Sequence, residues 1–189
     1  MRMFVAVDLD EASRNLVAET QRRALTRVRT KASLRLVDPQ QVHLTLTFLG
    51  EVTPPLSERV IDEMRLPFTG IVPFPLGIGG LGMFPPRGAP RVLWLGLTRG
   101  VRELGALHSA VARRLDGLGV ALEERDFRPH VTIARWRDAR PADRATFDTV
   151  EKSAVEATAI TVDRVTLFES RLSSQGASHF PLAHAPLTP

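Results

Sequence analysis

A four-residue pattern occurs twice in this chain, and it fixes two strands before anything else is known. His43-Leu44-Thr45-Leu46 and His130-Val131-Thr132-Ile133 share one order: histidine, apolar, threonine, apolar. The first opens HLTLTFL, His43 to Leu49, a clean alternation that ends at Gly50. A period of two is the mark of a half-buried strand. Successive side chains then point to opposite faces, so His43 and Thr45 share a face, as do His130 and Thr132. Leu44, Leu46, Val131 and Ile133 turn the other way, into a core. Each segment is thus predicted to present an imidazole and a hydroxyl on one open face.

The remaining elements follow from periodicity and punctuation. Arg2 to Leu9 reads as a buried strand, and Asp10 as the N-cap of a helix through about Val28. Leu34 to Val37 is a short strand. Pro54 and Pro55 open a second helix, to about Arg65. Ile71 to Ile78 is extended, with Pro73 and Pro75 favouring an edge position. Gly77 to Pro90, GIGGLGMFPPRGAP, reads as a loop and a candidate hinge or site loop. A strand at Arg91 to Leu97 precedes a helix, Val101 to Leu118, whose apolar stripe includes His108. His130 to Ala134 is a strand, Ala154 to Phe168 is strand-like, and the tail is loop-like with one strand near His179 to Leu182. Strands and helices mix without a strict βαβ rhythm, which predicts an α+β fold with antiparallel sheets. No composition break divides residues 1–189, so one domain is expected.

Composition removes several classes of function. With 43% hydrophobic and 24% charged residues, the 189-residue chain has the balance of a globular domain. It contains no apolar run near the roughly 20 residues a spanning helix needs, so no membrane role is expected. The N-terminus lacks the ordered parts of a secretory signal. The absence of cysteine excludes disulfides, thiolate zinc sites and cysteine nucleophiles. A cytoplasmic location is the expectation. All but two of the 25 basic residues are arginine, the exceptions being Lys31 and Lys152. Arginine is the better bidentate phosphate ligand, although scattered arginines also fit a GC-rich genome.

Two histidines facing one cleft suit paired proton transfer. Histidine titrates nearest neutral pH, so one imidazole can take a proton from water while the other gives one to a leaving oxygen. A threonine hydroxyl two residues on can hold the oxygens of a phosphate. No histidine–carboxylate cluster has metal-ligand spacing, and neither metal nor cofactor is expected. The chemistry that fits is cleavage of a phosphodiester without metal.

At this point the chain resembles a known family: the RNA 2′,3′-cyclic phosphodiesterases, also called 2′-5′ RNA ligases, of the 2H phosphoesterase superfamily. MRMFVAVDL, HLTLTFLGEV, GLGMFPPRGAPRVLWLGL, FRPHVTIAR and VTLFESRLSSQGASHFPL are similar to that family's successive segments. The resemblance implies a bilobal α+β fold: two antiparallel sheets with flanking helices around a central cleft, pseudo-twofold, one His-x-Thr-x motif per lobe. It implies hydrolysis of terminal RNA 2′,3′-cyclic phosphates to 2′-phosphomonoesters, with 2′-5′ ligation as the reverse reaction. It makes His43 the proton donor and His130 the proton acceptor, an order that the near-identical motifs leave open. The substrates expected are RNA ends bearing the cyclic phosphate, tRNA fragments or nucleotides among them, and the expected state is a monomer. The family often has a tryptophan where Leu36 and Val37 stand, and a tyrosine near His179 and Phe180.

Other residues carry both a functional and a plain reading. Arg135 resembles a phosphate ligand, yet strict alternation sets it opposite His130. Arg87 and Arg91 flank the glycine/proline loop and are either RNA contacts or solvated charges. Phe84 either stacks on a base or packs the loop. Trp94 lines the cleft or wedges the lobes. His108 reads as a core histidine, and His179 and His184 as surface tail. Two rival functions stand beside the main one: a phosphodiesterase for small cyclic nucleotides, and a non-catalytic RNA-end or nucleotide-binding module.

Overall fold

A computed structural model describes residues 1–27, 34–122, 126–145, 158–173 and 176–189; the side chains of 24–27 are not described. The element order is β1 (Arg2–Asp8), α1 (Glu11–Arg27), β2 (Leu34–Leu36), a 3₁₀ turn (Pro39–Gln41), β3 (His43–Glu51), α2 (Pro54–Glu63) and β4 (Phe68–Thr69). Then come β5 (Phe74–Phe84), β6 (Val92–Arg99), α3 (Val101–Asp116), β7 (Val131–Trp136), β8 (Thr158–Val162), β9 (Arg164–Ser173) and β10 (Gly176–Thr188). Residues 141–145 are also helical. Among the described residues no helix is long and apolar enough to cross a membrane.

The strands form one path, β4-β10-β9-β1-β3-β7-β6-β5-β8, with β2 paired to β7. Every pairing is antiparallel except β4 with β10. The α+β class stands, but the expectation of two separate sheets needs correction. The halves β10-β9-β1-β3 and β7-β6-β5-β8 join edge to edge through one register pair, Leu44 with Val131. Both residues are fully buried. Each half repeats an order: strand, helix, motif strand, helix (β1-α1-β3-α2, then β6-α3-β7 and residues 141–145).

The helices lock the halves together. α1 leaves β1 yet lies against β7 and β8, while α3 leaves β6 and lies against β3 as well as β5. Asp10 caps α1 as expected, its carboxylate accepting from the Ser13 N–H at 2.8 Å. The helix reaches Arg27, and its expected end at Val28 lies outside the described residues. Gly100 starts α3 at φ 80°, where an added Cβ would sit 2.5 Å from the Pro75 carbonyl. On the sheet face under the helices, Met3, Val5, Val7, Leu44, Leu46, Leu93, Leu95, Val131, Ile133, Val165 and Leu167 form one core with Leu104, Leu107, Val111 and Leu115 of α3.

Three segments differ from the sequence reading. GIGGLGMF belongs to strand β5, so the loop shrinks to residues 85–91. Glycines here serve packing: a Cβ on Gly82 would lie 2.2 Å from the Trp94 ring. β5 is interior, between β6 and β8, and tolerates Pro75 because β6 pairs with it only from Gly77 onwards. The tail is a long strand, β10, beside β4, which is only two residues long; most of its outer side needs no ladder, so Pro181 and Pro186 are accommodated. Ala154 lies outside the described residues.

Candidate active site

The single pair that joins the halves also builds the site. In antiparallel pairing, stepping one residue from Leu44–Val131 sets His43 opposite Thr132 and Thr45 opposite His130. Leu44 and Val131 point into the core, so these four side chains occupy the other, open face. All four are partly exposed. Each histidine therefore faces the other motif's threonine across the seam.

Both motif strands then carry a bulge at the same place. β1 skips Leu46 (Val5 pairs with Thr47, Ala6 with Thr45), and β6 skips Ile133 (Leu93 pairs with Ala134, Trp94 with Thr132). A bulge resets which face the following residues take. Leu46 and Thr47 are both buried, as are Ile133 and Ala134. The next residue in each strand, Phe48 or Arg135, comes out on the histidine face. Strict alternation fails for Arg135 for that reason, and the guanidinium lies close enough to both imidazoles to disfavour protonation of each. The bulge in β7 is held from outside. The Ile133 carbonyl accepts from the Val37 N–H at 3.0 Å and from the buried Gln21 amide at 2.8 Å.

The two imidazoles are fixed in the same way. His43 Nδ1 lies 2.9 Å from the Gln41 carbonyl, and His130 Nδ1 lies 2.6 Å from the Arg128 carbonyl. A carbonyl only accepts, so Nδ1 carries the hydrogen in both rings and Nε2 is left to exchange protons. Burial holds both pKa values below the ordinary histidine range, His43 to about 4. The charge of Asp8, its register partner, works the other way on His43 alone.

The surroundings of the rings differ. His43 stands 4.7 Å from the Phe4 ring and edge-on to His179 at 4.9 Å, with Phe168 stacked on Phe4. His130 stands edge-on to Phe84 at 5.0 Å and 6.2 Å from Trp94. Phe84 and Trp94 therefore line the cleft. Arg87 is exposed in the loop after β5, and Arg91 alternates with Val92, the Arg135 partner, so it takes the opposite face. Neither arginine is among the charges that act on His43 or His130. His108 stacks flat on Phe127 at 4.1 Å, far from this chemistry.

Sequence reasoning missed His179, Asp8, Thr166, His184 and Arg35. His179 reaches the site because β10 is a strand beside β9 whose His179 N–H donates to Gln41 Oε1 at 2.8 Å. Arg35 pairs with Arg135 across β2 and β7 and takes no ion pair among the described residues. Among the described residues, no group of three or more histidine, aspartate or glutamate side chains is arranged to hold a metal ion.

The open sheet face thus carries two imidazoles with Nε2 free, each opposite a hydroxyl. The comparisons give the family. Residues 16–173 match the model of the 2′-5′ RNA ligase superfamily, and the chain belongs to that superfamily. It is 36% identical to an RNA 2′,3′-cyclic phosphodiesterase of Archaeoglobus fulgidus over 75% of this chain and 76% of that protein. A relative of the same name from Methanothermobacter thermautotrophicus is 34% identical over 93% of both. The fold matches the crystal structure of TT0787 of Thermus thermophilus (TM-score 0.76, 26% identity, 98% of this chain and 97% of that one). It also matches apo LigT of Escherichia coli (TM-score 0.70, 24% identity, 100% and 98%).

Proposed function

We propose that the chain is an RNA 2′,3′-cyclic phosphodiesterase that leaves a 2′-phosphomonoester, working by two-histidine acid–base catalysis without metal. The observation that carries this is the pair of imidazoles with Nδ1 anchored to a carbonyl and Nε2 free on one open face. The names of the relatives, which span most of the chain, support the substrate class. The two halves act as lobes about a pseudo-twofold axis that passes between Leu44 and Val131.

His130 takes a proton from the attacking water, and His43 gives one to the leaving ribose oxygen. That order is the one the family resemblance implies; the charge of Asp8 only partly offsets the burial that holds His43 at about 4. In the empty cleft both rings tend to be neutral. The phosphate, which gains negative charge as water adds, draws the proton onto His43. Thr45 and Thr132 hold the non-bridging oxygens and Arg135 neutralises them, while Phe84 offers a stacking surface for a base. Water and leaving oxygen lie in line across phosphorus when one lobe supplies the base and the other the acid. With the 3′ oxygen against His43, the product is a 2′-phosphate with a free 3′-hydroxyl. The reverse reaction, 2′-5′ joining, uses the same groups. Both motifs come from one chain, so a cytoplasmic monomer is the proposed working form.

Phosphorus NMR of the product from a cyclic-phosphate oligonucleotide tests this reading. A 2′-phosphate that forms undiminished in excess chelator is expected. A 3′-phosphate product overturns the ribose orientation, and loss of activity to chelator with rescue by a divalent ion overturns the metal-free mechanism. Turnover of free cyclic mononucleotides in preference to the oligonucleotide would favour the small-nucleotide reading.

A further inference from the structure

Beside His43 the open face sinks into a cavity of about 260 Å³, lined by Asp8, Arg14, Gln40, Phe168, His179 and His184 among others. Its size is below the roughly 300–1,000 Å³ of sites for whole drug-sized ligands, so it suits one part of a substrate. Its walls are polar groups with hydrogen-bonding capacity left over. Arg14 Nε and His179 Nδ1 are buried and meet no partner among the described residues. Buried polar atoms without partners are rare in folded proteins and ask for an explanation.

Other lining groups accept. The Thr166 hydroxyl donates to Asp8 Oδ2 at 2.5 Å, which uses its one hydrogen. The Thr166 oxygen must then accept from His184 Nδ1, 2.9 Å away, so in the neutral ring His184 Nε2 is an acceptor. Thr166 is fully buried and sets Asp8 and His184 side by side. The cavity thus pairs a carboxylate and an imidazole nitrogen, both accepting, with a guanidinium that donates. Phe168 and the His179 ring supply flat surfaces. One carboxylate offsets one guanidinium, so the lining is not an anion trap.

We infer that this cavity reads the base of the nucleotide carrying the cyclic phosphate, and that the base it fits is guanine. Guanine alone sets two separate N–H groups, N1–H and the 2-amino group, beside a carbonyl on one edge. The N–H groups meet Asp8 and His184, and O6 with N7, on the adjoining Hoogsteen edge, meets Arg14, the commonest specific arginine contact to guanine. The ring packs on Phe168 and His179, as splayed-out bases do on aromatic and histidine rings. This rests on the proposed function, since the base enters beside His43 only if the scissile phosphate lies between the two histidines.

The test uses oligonucleotides that differ only in the 3′-terminal base, each ending in a 2′,3′-cyclic phosphate. The G end should exceed A, U and C ends in kcat/KM by about tenfold or more, the scale of one hydrogen bond to a charged group. An inosine end, which lacks the 2-amino group, should fall below guanosine. Arg14→Met and Asp8→Asn should each shrink the ratio of G to A, whatever they do to the absolute rate. Equal kcat/KM for all four ends, or a G preference that both variants keep, overturns the inference. A preference for an added phosphate regardless of base overturns it too, in favour of an anion in the cavity. If no cyclic end is cleaved at all, the proposed function fails instead. Direct titration with guanosine and adenosine 2′-monophosphates then tests the cavity alone: tighter guanosine binding, weakened in Arg14→Met, supports it, and equal binding overturns it.

Discussion

β3 and β7 run the same local program in different settings. Each has a histidine anchored through Nδ1 to a carbonyl two residues back, a threonine on the same face, a bulge at the fourth position and a cleft residue after it. The settings diverge from there. His43 is packed by Phe4, Phe168 and His179 and adjoins Asp8, whereas His130 meets Phe84 and Trp94 with no carboxylate among the described residues acting on it. After the bulge, β3 offers the apolar Phe48 and β7 the cationic Arg135. Backbone geometry thus delivers two interchangeable imidazoles, and the neighbours make them different. The opposite roles proposed for them draw on that asymmetry.

The largest effect should come from removing either imidazole. His43→Ala and His130→Ala should each lower turnover by about 10²–10⁴-fold, the range for a general acid or base. If they act as a unit, the double variant should cost little more than the worse single one. Near wild-type turnover in either single variant would break the pairing. Thr45→Ala and Thr132→Ala should cost somewhat less, on the order of the 10²–10³-fold of one oxyanion donor. Similar losses for both threonines would show that each lobe holds one oxygen; a loss confined to one would show that the seam is not symmetric in function.

Gly82→Ala perturbs one side only. Its methyl would overlap the Trp94 ring, so Trp94 must move against Phe84 and His130. Activity should drop with little change in a thermal melt if the displacement stays within the cleft. Gln21→Ala should act more weakly still on activity and more on stability. It leaves the Val37 carbonyl without a side-chain donor and removes one of the two hydrogen bonds to the bulged Ile133, at a cost of about 1–3 kcal/mol in unfolding free energy. Denaturant titration measures that loss, and a variant as stable as the parent would show that the bulge needs no outside brace.

Much of this site is legible in the sequence because it rests on a period of two. The alternation in HLTLTFL and HVTI fixes which face His43, Thr45, His130 and Thr132 take, and the seam at Leu44–Val131 only brings those faces together. Arg135 was hidden because a bulge breaks the period, and nothing local in Thr-Ile-Ala-Arg announces one. The second half of β5 reads as a loop because glycine and proline dominate GIGGLGMFPP, yet Gly82 is small so that Trp94 can lie across it. His179, Asp8 and His184 were out of reach for another reason. Their placement depends on a contact of β10 with Gln41 and on a hydroxyl from β9, between residues far apart in the chain.

The account claims that His43 and His130 work in opposite protonation states, and the pH dependence of kcat/KM reads those states in the free protein. Both rings are held below the ordinary value of about 6.5 by burial. A base with a lowered pKa becomes active as pH rises through that value, and an acid with a lowered pKa is lost as pH rises through its own. The profile should therefore be a bell centred on the acid side of 6.5, its limbs belonging to the coupled pair. Under saturation kcat should peak at higher pH, because the bound phosphate favours both imidazolium forms. A kcat/KM profile that rises or falls monotonically between about pH 3 and 9, a range that takes in both lowered histidines, would contradict two histidines in opposite roles.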